Sequence, residues 1–323
     1  MNKKDVFVNH YEYSDVEGIL SEVHGKDFLE YRKNFNNISD NLLESDKPMY
    51  IVLSINSYCN LRCTMCLRNF VNSRESKIDM PIETIESICS QCKEFGIPSL
   101  FLGATSEALL RKDIVDVLKA VKKSGTIDNF LITNGTMLTE QLSNVLVELQ
   151  YERIYISIDA AKKETYRKIR GGNIENVEMN IQKLLEIKEK KKSKLPIIRV
   201  SFVKQKENEA ELEEFVKKWK NKIDIIDIQN MIDYSNINNL KEVYELEEIE
   251  FNCPSPFRML YIDYLGDIFP CSSDYCTSMK IGNIKDMTIK EAWNSKLMCE
   301  LRNSIKSGQL GKICKNCAHN VSG

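Results

Sequence analysis

The chain has 323 residues, enough for one large domain and a smaller one, and no apolar run approaches bilayer length. Its 45 basic and 47 acidic residues nearly cancel, which excludes a basic nucleic-acid footprint and an acidic tail. Eleven cysteines, clustered in a chain that opens "MNKKDVFVNHYEY" without a secretion signal, predict metal binding or catalysis in a reducing cytoplasm rather than disulfides.

In chain order, residues 1–48 form an N-terminal extension expected to hold one or two short helices around "DFLEYRKNF". Strand-like runs then follow at 49–56, 98–105, 129–134, 153–159, 197–204 and 224–229. Between them, residues 82–95, 113–124, 139–150, 174–193 and 208–221 carry apolar residues three and four apart, the stripe of a helix covering a sheet. Six such units over 49–230 predict an α/β fold, a parallel sheet curled into a partial (β/α)6 barrel. In such folds chemistry gathers at the carboxyl ends of the strands. Residues 231–252 are polar and read as a linker. From 253 to 323 the alternation stops: "FRMLYIDYLGDIFPC" predicts two short strands about a Gly-Asp turn, and "MTIKEAWNSKLMCELRNSI" a helix. This tail carries six cysteines, and a metal staple would remedy its small core.

The stretch "SYCNLRCTMCLRNF" follows the first strand of the barrel and sets Cys59, Cys63 and Cys66 in C-x3-C-x2-C spacing. A disulfide needs an even number of thiols and a structural zinc site wants four ligands. Three soft thiolates in one loop suit an iron–sulfur cluster with one iron left open. The competing reading is a three-Cys, one-His zinc knuckle, disfavoured because His10, His24 and His319 all lie far away in sequence.

This motif after the first strand of a βα barrel resembles the radical S-adenosylmethionine (SAM) superfamily. The resemblance implies a [4Fe–4S] cluster whose open iron chelates SAM, and reductive cleavage to a 5′-deoxyadenosyl radical that abstracts hydrogen from substrate. It covers roughly residues 49–230. "GATSEALL" stands where the family has a Gly-Gly-Glu-Pro segment, so Glu107 carries over while Ser106 and Ala108 replace the Gly and Pro. "ITNGTMLTE" places Asn134-Gly135 at a similar turn, and "SIDAAKKETYRKIRGG" supplies Ser157, Asp159 and Arg170 as residues that approach SAM.

The tail, Cys253, Gly266, Cys271 and then Cys314-x2-Cys317, is similar to the SPASM and Twitch auxiliary-cluster domains. The resemblance implies a second, fully ligated [4Fe–4S] cluster on these four cysteines, with a zinc ribbon as the competing reading. Gly266 is expected to make the hairpin turn that brings Cys253 and Cys271 together. Cys89, Cys92 and Cys299 are expected in helix cores. Cys276, in the loop "CSSDYC", is a spare ligand, an inert thiol or a hydrogen-atom donor. The organisation implies a small-molecule substrate, a sugar, aminocyclitol or nucleotide-sugar, that is oxidised or epimerised, with flavodoxin or ferredoxin as external electron donor. A peptide maturase and a cluster-bearing redox protein without SAM turnover are the alternatives.

Overall fold

A computed structural model describes residues 7–69, 77–231, 253–272, 279–311 and 314. Its framework is one ten-stranded sheet. Six parallel strands form the centre: β2 (Tyr50–Leu53), β3 (Leu100–Leu102), β4 (Phe130–Thr133), β5 (Arg153–Ser157), β6 (Ile197–Lys204) and β7 (Ile225–Asn230). They lie in sequence order, and each coincides with an expected strand. The sheet does not close on itself. At one edge β1 (Phe7–Glu12) runs antiparallel to β7; beyond β2 come β8 (Met259–Ile262), parallel to it, then β9 (Asp267–Phe269) and β10 (Gly282–Asn283).

Strand alternation sorts the side chains. Ile51, Leu53, Ile154, Ile156, Val200 and Ile228 turn outward into the main core. There they meet α3 (Ile82–Phe95), α4 (Ile114–Lys123), α5 (Glu140–Glu148), α7 (Ile174–Lys190) and α8 (Leu212–Trp219). Cys89 and Cys92 are buried in α3 as expected. Tyr50, Val52 and Phe101 turn the other way and join Met259, Tyr261 and Phe269 in a separate inner cluster. Stacked rings continue it, with Phe101 and Phe130 centroids 3.9 Å apart and Tyr155 edge-on to Phe130 at 5.1 Å.

Several expectations need correction. The N-terminal extension contains β1 as well as two helices, α1 (Val16–His24) and α2 (Lys26–Asn41). An unforeseen helix, α6 (Lys163–Arg170), follows β5; its buried Tyr166, Ile169 and Arg170 sit three and four apart, and Gly171 ends it in the left-handed region. The tail helix is two helices, α10 (Ile289–Trp293) and α11 (Lys296–Lys306), split where Ser295 caps the second. Cys299 is exposed rather than buried, because α11 buries Met298, Arg302 and Ile305 and leaves position 299 off that stripe. Gly266 makes the expected turn: its φ is +86°, its N–H donates to the Asp263 carbonyl at 2.8 Å, and an added Cβ would lie 2.9 Å from Ile284. Among the described residues no helix is long and apolar enough to cross a membrane.

Candidate functional site

The cysteine loop leaves β2 at the carboxyl end of the strands, and many hydrogen bonds shape it. The Cys66 N–H donates to the Cys63 carbonyl at 3.0 Å, and Asn69 Nδ2 donates to the same carbonyl at 2.7 Å. Arg68 Nη1 donates to the Ser57 and Thr105 carbonyls at 2.8 and 3.0 Å, fastening the loop to the segment after β3. Asn56 Nδ2 donates to the Glu107 carbonyl at 2.9 Å. Arg68 and Asn56 were not singled out from sequence, since neither belongs to a ligand pattern.

Cys59, Cys63 and Cys66 are all half-buried. Two of them receive donors from neighbouring strands and helices. Cys59 Sγ accepts from the Leu61 N–H at 3.5 Å and from Asn134 Nδ2 at 3.7 Å; Cys63 Sγ accepts from Arg170 Nη1 at 3.7 Å. Burial pushes the Cys63 thiol up to about 11, with the Arg170 guanidinium opposing. Burial likewise raises the Cys59 thiol, opposed by the Leu61 N–H. Among the described residues no three His, Cys, Asp or Glu side chains converge on a single ion. Three thiols set around one loop, two of them with N–H donors aimed at sulfur, fit a multi-iron cluster in which each thiolate takes its own iron.

The expected SAM-approaching residues gather beside this loop. Glu107 is 2% exposed and its carboxylate is fully engaged. Oε1 accepts from Thr133 Oγ1 at 2.7 Å and the Leu109 N–H at 3.2 Å, and Oε2 from the Asn134 N–H at 2.7 Å. Burial raises its pKa, and the Asn134, Thr133 and Leu109 donors oppose the rise. Asn134 is thereby held at the end of β4, where Nδ2 also reaches Asn60 Oδ1 at 2.9 Å. Asp159 is buried in the left-handed region at φ +63°, and Arg170 grips its Oδ2 through Nε at 2.8 Å and through Nη2.

Ser157 belongs to a polar row on the inner wall. Register pairs Ser157 with Ser201, Ser201 with Asp227, and Asp227 with His10 across four adjacent strands. His10 Nδ1 lies 2.5 Å from Asp227 Oδ1, and Arg199 Nη1 lies 2.5 Å from Asp227 Oδ2 while its guanidinium stacks on Tyr155 at 3.3 Å. On the other side of the bore Tyr261 donates to Ser54 Oγ at 3.0 Å, and Ser54 Oγ lies 3.4 Å from Thr105 Oγ1.

Of the second cysteine set, Cys253 and Cys271 lie at the opposite end of the strands, beside Tyr50. Burial raises the Tyr50 hydroxyl at the start of β2; Arg258 opposes, and the neighbouring Cys253 and Cys271 thiols add to the rise. Cys271 follows β9 by two residues, which brings it level with Met259, the partner of Tyr50. Cys314 is half-buried. Cys317 and Cys276 lie outside the described residues, as does most of the expected linker.

Comparison with known proteins agrees with this layout. Residues 53–218 match the family described as "Radical SAM superfamily", and residues 253–318 match SPASM, an "Iron-sulfur cluster-binding domain". The chain is 34% identical over 136 residues to a "Probable GTP 3′,8-cyclase" of Methanococcus maripaludis strain C5, covering 42% of this chain and 45% of the relative. It is 28% identical over 253 residues to the GTP 3′,8-cyclase of Lactiplantibacillus plantarum, covering 70% and 73%. The chain spans about half the length of the curated relatives it matches at the higher identity. Among solved structures it resembles BtrN in complex with AdoMet and 2-DOIA, with TM-score 0.55, 19% identity, and 85% and 94% of the two chains covered. Streptococcus suis SuiB bound to S-adenosylmethionine gives TM-score 0.60, 16% identity, and 85% and 72% coverage. At these identities the structural likeness shows the fold alone.

Proposed function

The chain belongs to the radical SAM superfamily and carries a SPASM iron–sulfur segment, and we propose that it oxidises or epimerises a hydroxylated small molecule: a sugar, aminocyclitol or nucleotide-sugar. In this reading Cys59, Cys63 and Cys66 hold the SAM-binding [4Fe–4S] cluster, and Cys253, Cys271, Cys314 and Cys317 an auxiliary one. Bound together, the first cluster and SAM supply the one-electron cleavage whose radical fragment removes hydrogen from an unactivated C–H bond.

The chain's own residues shape and orient. Glu107, whose oxygens already serve three protein donors, acts by fixing the Asn134 turn that faces Cys59. Asp159 and Arg170 border the same loop, Ser157 ends β5 two residues before Asp159, and a free donor on Arg170 suits the SAM carboxylate. The observation that carries the substrate class is the inner wall. Ser157 and Ser201 on one side, and Thr105 with the buried Ser54–Tyr261 pair on the other, place hydroxyls along the same wall as stacked aromatic rings, a lining suited to a polyol. An external flavodoxin or ferredoxin supplies the electron. Cys276 is the candidate hydrogen donor for an epimerase, and a dehydrogenase needs none.

A second reading, a nucleoside-bearing substrate, is favoured by the 34% identity to a probable GTP 3′,8-cyclase. Anaerobic incubation of reconstituted protein with SAM and dithionite, alone and with an aminocyclitol, a nucleotide-sugar or GTP, separates these readings. The expected result is 5′-deoxyadenosine formation stimulated by a polyol, with a product lighter by two hydrogens or an isomer of unchanged mass. Stimulation by GTP alone favours the second reading. No 5′-deoxyadenosine under any condition removes both. Cys276→Ala is expected to abolish isomer formation while sparing dehydrogenation.

A further inference from the structure

We propose that Arg170, held by Asp159, is a positioning residue for Cys63: it fixes that thiolate and raises the potential of the cluster it ligates, independently of any contact with SAM. The inference rests on the reading of Cys63 as a cluster ligand.

The last turn of α6 touches the cysteine loop twice. The Thr64 N–H donates to the Ile169 carbonyl at 2.8 Å, and the next residue, Arg170, sends Nη1 to Cys63 Sγ at 3.7 Å. Helix and loop are thus joined by a side-chain bond at Cys63 and a backbone bond at the residue that follows it. Its Nε and Nη2 both bind Asp159 Oδ2, which orients the planar fork so that Nη1 faces the sulfur. Arg170 is only 7% exposed.

Asp159 is fixed in turn. Its Oδ1 accepts from the Val203 N–H at 2.8 Å and its carbonyl from Asn208 Nδ2 at 2.8 Å. The residue occupies a left-handed conformation that costs about 1–2 kcal/mol for a side chain other than glycine. That conformation turns the carboxylate back beneath α6. Pairing of this kind sets the guanidinium before any ligand arrives.

A cationic N–H donor at a cluster thiolate favours the reduced, more negative state. The donors at Cys59, Asn134 and the Leu61 backbone, are neutral. Arg170 is therefore the group expected to move the potential most. Of its five N–H groups three are committed, so a contact with SAM remains open to the other two, and the two roles are separable by experiment.

The test is an anaerobic redox titration of the reconstituted full-length protein without SAM. It follows the EPR signal that a parallel sample shows to change on SAM addition, which identifies the cluster. For Arg170→Gln the reduced-to-oxidised ratio is expected to fall at least tenfold at the poise where the native protein is half reduced, about 59 mV for a one-electron couple. Arg170→Lys is expected to recover part of the loss. A native midpoint in Arg170→Gln with full iron content overturns the proposal. If Arg170→Gln takes up no iron, Asp159→Asn is titrated instead, asparagine tolerating the same backbone; a native midpoint there overturns it as well. Loss of the SAM-responsive signal from native protein would instead strike at the ligand reading beneath it.

Discussion

Glu107 places one carboxylate under three donors, and so its chemistry is more demanding than its position in the chain suggests. Exchanging it for glutamine keeps the shape but turns one acceptor oxygen into a donor facing either the Asn134 N–H or the Thr133 hydroxyl and Leu109 N–H. A buried donor left without an acceptor costs about 1–3 kcal/mol. Glu107→Gln is therefore expected to lower the unfolding free energy of the metal-free protein by that amount, measured by urea denaturation; a change below about 0.5 kcal/mol, the ordinary surface value, would show the carboxylate to be idle. The resemblance in sequence located this residue, yet it did not tell what the side chain touches. Family patterns fix position, whereas the partners Thr133 and Asn134 come from a different strand end. Cys299 illustrates the same limit: a cysteine on a helix reads as core until the buried stripe of that helix is known.

Elements were legible to the degree that their burial is written locally. Helix α3 was read to the residue because its apolar stripe is complete within fourteen positions. Strand β1 is not legible because its partner is β7, and "FVNHYE", in which apolar and polar residues do not alternate, carries no local sign of such a distant pairing. That pairing has a pH dependence. The Asp227 hydrogen bond is the largest cause raising the His10 pKa, opposed by burial and assisted by Glu12, whose carboxylate lies 3.6 Å from Nε2; Arg199 occupies the other oxygen of Asp227. A histidine whose folded pKa is raised adds stability that is complete below its ordinary value near 6.5 and is lost as pH climbs through the raised one. The urea midpoint is expected to fall as pH climbs above the ordinary histidine value of 6.5, and His10→Gln to flatten that part of the curve. An unchanged slope in the variant would assign the dependence elsewhere.

At the scale of the molecule, the tail is structurally continuous with the barrel. Strand β8 extends the sheet directly beside β2, the Trp293 indole donates to the Ser45 carbonyl at 2.7 Å, and the Ile289 N–H donates to Gln91 on α3 at 2.8 Å. Removing residues 253–323 would uncover the β2 edge and the inner cluster of Val52 and Tyr50. The shortened chain is expected to aggregate more than the 323-residue chain, as judged by soluble yield and size-exclusion chromatography; a monodisperse, folded 1–252 fragment would show the barrel to be self-sufficient. Sequence marked this tail as a separate segment because its alternation and cysteine density change at residue 253, and the strand that unites it with the barrel is only four residues long.

The bond between His10 and Asp227 spans 217 residues. On a ribosome adding roughly 5–20 residues each second, β1 is made about 10–40 s before β7 exists to receive it. Throughout that interval the segment must stay unattached beside a growing row of open strand edges. Its brevity, and the asparagine, histidine and glutamate within it, suit a piece of chain obliged to wait without sticking to anything else.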